Sequence, residues 1–159
     1  MEIRDATSER FVRLEPVRYE FPDLVGVEYD SDWLVIRGRA RSDDGEWSFE
    51  DPSLLVDEAL SFGEWMRSAA RGDAPVLEPD GNGHTEPTTT TIEPNLGFGV
   101  AGYTRDGLTI RVFLVHESAP PHEPDGRPRF FLDLTTSSAA LTQAAADWQA
   151  ALARFPKRS

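Results

Sequence analysis

Apolar residues recur at helical spacing in two stretches of the chain and alternate with polar ones in others. In the first stretch, Leu55, Ala59, Phe62, Met66 and Ala69 fall on one side, flanked by Val56, Leu60 and Gly63. Asp57, Glu58, Ser61, Glu64, Arg67, Ser68 and Arg71 fall on the other. This one-sided stripe predicts an amphipathic helix over about 53–71, with Asp51-Pro52 as its start and Gly72 as its stop. A second stripe of Leu141, Ala144, Ala145, Trp148, Ala151, Leu152 and Phe155 predicts a helix over about 138–154. Ser137 or Ser138 can cap it, and Pro156 ends it.

The alternating stretches predict hairpins. Trp33 to Arg41 places Leu34, Ile36, Gly38 and Ala40 on one face and Arg37, Arg39 and Arg41 on the other. Asp44-Gly45 is a strong turn signal, and Trp47 to Glu50 returns, with Ala40 opposite Phe49 and Arg39 opposite Glu50. Glu46 and Glu50 share the arginine face, which favours cross-strand ion pairs on a solvated surface over a nucleic-acid stripe. A second turn at Asp106-Gly107 joins Leu96–Tyr103 to Leu108–His116, with Tyr103 facing Ile110 and Val100 facing Phe113. Both faces of that pair are apolar, so one should be covered by helices and the other by a second layer or a partner. Further strands are expected at Thr88–Glu93 and Arg129–Thr135, and an N-terminal pair, Arg10–Leu14 with Val17–Phe21, around Pro16. Together these elements predict one α+β domain over 1–159. Its sheet is mainly antiparallel and built from hairpins, with flexible loops at about 72–86 and 117–128.

Charge changes the picture. The net charge is −12, and residues 43–93 contain thirteen carboxylates against only Arg67 and Arg71. A negative field so localised attracts a basic partner and repels phosphate-rich polymers, so a protein partner is expected and nucleic acid is not. With no cysteine, disulfides, thiolate metal sites and cysteine nucleophiles are excluded. The N-terminal residues carry no basic, then apolar, signal pattern, and no apolar window nears membrane-spanning length, so a cytoplasmic protein without membrane association is expected.

Candidate chemistry is sparse. His84, His116 and His122 have no recognised metal spacing, and no phosphate loop, nucleophile elbow or zinc-protease motif occurs. Gly97, Gly99 and Gly102 lie in a strand pattern with no helix to follow, so they form no dinucleotide fingerprint. Adjacent acids such as Asp43/Asp44, Glu50/Asp51 and Asp57/Glu58 sit in turns, at a helix start or on its polar face, as solvated carboxylates do. No cofactor or metal is expected, and no catalytic residue.

Several segments carry a family pattern. Trp47, Phe49, Asp51, Pro52 and Leu54 lead into Glu58, Ala59, Gly63, Trp65 and Met66. Glu93-Pro94-Asn95-Leu96 follows, then Val115-His116-Glu117 with Pro120-Pro121, and finally Phe155-Pro156 with Arg158. This arrangement, over roughly Trp33 to Arg158, resembles the WapI-type immunity proteins of bacterial polymorphic toxin systems. The resemblance implies a small cytoplasmic protein that binds and neutralises the C-terminal domain of a cognate toxin, often a nuclease, with no active-site residues of its own. A basic toxin domain suits the acidic charge read independently above.

On this reading the expected partner contacts are Glu64 on the first helix and Asp73, Glu78, Asp80 and Glu86 in the loop after it. An alternative is a small-molecule-binding domain or enzyme whose pocket lies between the sheet and the 117–128 loop, lined by Phe98, Tyr103 and Phe113. A homodimer that buries the two-sided apolar strands is a third.

Overall fold

Strands, then a helix, then strands, then a helix: this order organises the computed structural model, which describes residues 1–89, 91–121 and 129–159. The first sheet contains β1 (Glu2–Arg4), β2 (Phe11–Tyr19), β3 (Trp33–Ser42) and β4 (Gly45–Leu55), antiparallel in the order β1-β2-β3-β4. Helix α1 (Val56–Arg71) follows. The second sheet holds β5 (Leu96–Tyr103), β6 (Gly107–Leu114) and β7 (Phe130–Ser137) in the order β5-β6-β7, and α2 (Ser138–Leu152) closes the chain. The fold is therefore α+β and mostly antiparallel sheet, as the patterns predicted.

Both helical stripes point inward. Ala59, Phe62, Met66 and Ala69 of α1 and Leu141, Ala144, Ala145, Trp148 and Leu152 of α2 are buried in one core shared with both sheets. The Trp148 indole crosses to α1 and donates to the Ala59 carbonyl at 2.7 Å, while Phe62 stacks on Phe98 of β5 with ring centroids 4.0 Å apart. Ser137 caps α2 by accepting from the Ala140 amide. Helix α1 begins later than the sequence predicts, because Pro52 and Ser53 continue β4. Proline is tolerated there since β4 is an edge strand, and Pro52 lies at a bulge in the pairing with β3. The helix starts instead where the Glu58 carboxylate turns back to accept the Leu55 amide at 2.8 Å.

Other local expectations change. The first hairpin turns over Asp43-Asp44 rather than Asp44-Gly45, because the Asp44 amide donates to Ser42 Oγ and Gly45 already pairs with Ser42. The register moves by two, so Ala40 faces Trp47 and Arg39 faces Ser48. An even shift keeps each side chain on its predicted face. The arginine row accordingly meets acids, as expected, through Arg37–Glu50 and Arg39–Glu46. Residues 11–19 form one continuous strand with a bulge beside Pro16, in place of a short hairpin. Thr88–Glu93 makes no strand among its described residues. Instead the Thr88 and Thr89 amides both donate to the Phe98 carbonyl.

The second hairpin differs most. Its turn runs over Thr104–Gly107 with Tyr103 opposite Leu108, and a bulge at Ala101 brings Val100 opposite Ile110 and Phe98 opposite Val112. One extra residue reverses which face each later side chain takes. Phe98 therefore enters the core, while Phe113 lies on the outer face against Phe131. That outer face is covered by the segment after α1. Leu77 lies over Gly99 and Pro87 over Gly97, where an added Cβ would come within 2.4 and 2.7 Å of them. The Leu77 amide donates to the Val100 carbonyl, Tyr103 Oη to the Ala74 carbonyl, and Arg111 to Thr85 Oγ1. The second layer expected over this sheet is thus a segment of the same chain.

The two sheets also meet at their margins. Ala6 N donates to Thr135 O between β1 and β7 at 2.8 Å. On the other side Asn95, just before β5, reaches β4. Its Nδ2 donates to Asp51 Oδ2 at 2.9 Å and to Ser53 Oγ at 3.0 Å, and Trp47 Nε1 donates to the Ser118 carbonyl at 2.9 Å.

Candidate partner-binding surface

The five acids expected to meet a partner are all exposed, but they are not gathered into one patch of free charge. Glu64 is clasped by Arg67 of the next helical turn, whose guanidinium also bonds Gln149; the Arg67 bond and charge hold the Glu64 carboxyl below its usual range. Asp73 pairs with Arg71 at 2.9 Å, and Glu86 with Arg129. Asp80 accepts the backbone amides of His84 and Asn82, which lower its carboxyl and close a tight loop. Only Glu78 of the five has no bond or ion pair among the described residues. Exposed pairs of this kind contribute little to stability, so the loop still carries negative potential, with most of its carboxylates already oriented by neighbours.

A different group of acids converges at positions that no sequence pattern singled out. Glu20 at the end of β2, Asp51 in β4, Glu93 before β5 and Glu117 in the turn after β6 line a depression of about 350 Å³ together with Phe21, Trp33 and Pro52. Burial raises the Asp51 carboxyl, and the charges of Glu117, Glu93 and Glu20 raise it further against the opposing Asn95 bond. The local field is therefore negative enough to penalise one more charge. Arg18 reaches Glu20 from the rim at 3.3 Å; among the described residues no cation lines the depression itself.

Behind this depression lies the seam between the sheets. Asn95 is fully buried, and its Oδ1 has no hydrogen-bond partner while Nδ2 serves Asp51 and Ser53. Its backbone carbonyl accepts Ser118 Oγ and the Val115 amide. The segments Asp51-Pro52, Glu93-Pro94-Asn95 and Val115-His116-Glu117 therefore come together in space.

Beside the depression the segment 20–32 exposes Phe21, Val25, Val27 and Tyr29. It is held by the residues after α2. Asp32 is buried and accepts the Arg158 and Ser159 amides and Ser159 Oγ, while the Arg158 guanidinium bonds the carbonyls of Phe21 and Pro22. Burial alone would raise the Asp32 carboxyl, but these bonds and the Lys157 charge outweigh it and lower it. Tyr29 sits at φ 64° and His116 at φ 54°, the two positive-φ residues other than glycine among the described residues. Tyr29 lines a depression beside Asp32, and His116 directly precedes Glu117.

The three aromatics proposed for a small-molecule pocket do not share one. Phe98 is stacked in the core, Phe113 faces outward, and Tyr103 is tied to Ala74 at the far end of β5. Residues 122–128 of the loop in that proposal, including His122, lie outside the described residues.

Sequence reasoning missed the depression because its four acids are spread from position 20 to 117. The signal was present in Asp51, Glu93 and Glu117, each inside a segment of the family pattern, but adjacency in sequence had assigned Asp51 to the solvent.

Among the described residues no group of three or more His, Asp or Glu is placed to hold a metal ion, and no helix is long and apolar enough to cross a membrane. No curated protein and no solved structure matches the chain. The model of the immunity protein WapI-like family matches residues 3–156, which extends the likeness through the N-terminal strands that the sequence patterns had left out of it. The chain belongs to the WapI-like immunity protein family.

Proposed function

We propose that this protein neutralises a toxin by binding its C-terminal domain, without catalysis of its own, and that the toxin domain is basic. Membership of an immunity family supports the toxin-neutralising role, and the net charge of −12 is the observation that carries the basic character of the partner. An acidic inhibitor can occupy the cationic surface that a nuclease presents to nucleic acid, and its field accelerates encounter. Glu64, Asp73, Glu78, Asp80 and Glu86 supply part of that field. Since four of them have partners within the chain, their contribution is to association rate more than to the lifetime of the complex. The test is co-expression and pull-down with the protein encoded immediately upstream. Growth rescue with co-purification is the expected result. A toxin domain that neither binds nor is suppressed would end this reading.

A further inference from the structure

We infer that the segment 21–30, which carries Phe21, Val25, Val27 and Tyr29 at the surface, is a contact face for the toxin domain. This deepens the toxin-binding reading and rests on it.

Nine large apolar side chains are exposed among the described residues, and four of them fall within nine consecutive positions. Phe21 is 45% exposed, Val25 68%, Val27 41% and Tyr29 53%. The other five are dispersed from position 60 to position 131. Single exposed apolar residues are ordinary on a monomer, whereas a run of them in one short segment marks an interaction surface.

The chain holds this segment outward with bonds to its backbone. The Gly26 amide donates to the Arg158 carbonyl, and the Arg158 guanidinium bonds the carbonyls of Phe21 and Pro22. The fully buried Ser31 accepts the Val27 amide on Oγ and donates its own amide to the Val27 carbonyl. Tyr29 takes φ 64° and ψ −59°, and the Asp30 amide donates to the Glu28 carbonyl across it. This three-residue turn is strained for any residue with a Cβ, and glycine would adopt it freely. A half-exposed tyrosine is thus presented to solvent at a cost in stability, on a segment that needs little further ordering when a partner arrives.

Charge selects the occupant. Positions 20–32 hold no lysine or arginine. Asp23, Glu28 and Asp30 are exposed among the apolar side chains and have no ion pair among the described residues. The cations beside the segment are engaged: Arg18 with Glu20, Lys157 with Asp57, and Arg158 with backbone carbonyls. In a two-fold dimer this face would meet its own copy and set like charges against each other, so a second copy is disfavoured. A basic partner gains attraction from the same acids around a desolvated apolar centre, the usual layout of a protein interface. Membership of an immunity family supplies such a partner in the toxin.

The experiment titrates the upstream-encoded toxin domain, in an inactivated form, into the wild-type protein, Y29G and V25S/V27S. Thermal melts come first. Tyr29→Gly relaxes the turn and should keep or raise the melting temperature, while V25S/V27S leaves the backbone bonds to Ser31 in place. Each variant should bind about thirtyfold or more weakly, mainly through faster dissociation. The loss should persist at high salt, because apolar burial is not screened. A Y29G protein that is no less stable yet binds poorly rules out unfolding as the cause. Equal affinity of all three proteins overturns the contact face and leaves the toxin-binding reading intact. Light scattering of the wild-type protein alone should give a monomer. A dimer that the same substitutions dissolve assigns the face to a second copy and overturns the inference. Absence of toxin binding by the wild-type protein overturns both.

Discussion

Asn95 donates from a single nitrogen to both Asp51 and Ser53, and so ties the start of the second sheet to the edge strand of the first. The same contact sets Asp51 at the floor of a depression shared with three other acids. One side chain thus joins the two sheets and positions an acid of the depression. Replacing Asn95 by Ala removes both donors at a buried site and should cost about 1–3 kcal/mol, read as a lower urea midpoint with unchanged slope.

Asp51 carries the opposite sign. Its folded carboxyl is raised by burial and by neighbouring acids, so its ionisation is penalised in the folded protein above that raised value. The penalty is absent below the ordinary aspartate range, at about 3.9, where the folded and unfolded forms are both protonated. Asp51→Asn retains an acceptor for Asn95 and should raise the melting temperature at neutral pH. The gain should shrink to nothing on acidification. A constant difference across that range would show that the neighbouring charges are not responsible.

Asp32 behaves as an ordinary structural carboxylate. Its folded value is depressed, so it stabilises the fold above the unfolded aspartate value, and that contribution is lost as pH falls through the depressed folded one. Asp32→Asn should cost about 1–3 kcal/mol at neutral pH, and the difference should vanish in acid. Hydrogen exchange should show the amides of Arg158 and Ser159 losing protection first.

Gly38 lies directly opposite Phe49, whose ring crosses it so closely that an added Cβ would fall 2.0 Å from Cζ. Gly38→Ala should therefore destabilise by about 1–3 kcal/mol through forced displacement of the ring. The cost should be smaller in a Phe49→Ala background, and a double-mutant cycle measures the coupling.

Trp148→Ala removes the link between the helices and the contact with Phe62, and should cost about 3–5 kcal/mol by chemical denaturation. Trp148→Phe should cost less, because it keeps most of the packing and loses the bond to Ala59.

Periodicity made both helices legible, since Ala59, Phe62 and Met66 or Ala144, Ala145 and Trp148 can share a face only in a helix. Alternation made the hairpins legible for the same reason. What it could not show was register. The Ser42 hydroxyl moved one turn, and the bulge at Ala101 turned Phe98 and Phe113 to opposite faces, an outcome that depends on packing rather than on local preference. The candidate site was hidden for a related reason. Its acids belong to four separate segments, and only the seam at Asn95 brings them together. The charge of residues 43–93 was visible, but its pairing with Arg67, Arg71 and Arg129 was not.

The carbonyls of Phe98 and Val100 along the outer edge of β5 already accept the amides of Thr88, Thr89 and Leu77. At the other margin β4 carries Pro52, which has no amide to offer, amid the charged Glu46, Glu50 and Asp51. A foreign strand therefore finds no continuous backbone ladder to extend at either position, and fibril-like stacking is discouraged at both. On the proposed reading, recognition of a toxin at these two edges rests on side chains rather than on an added strand, so surface changes there can retune specificity without rebuilding the scaffold.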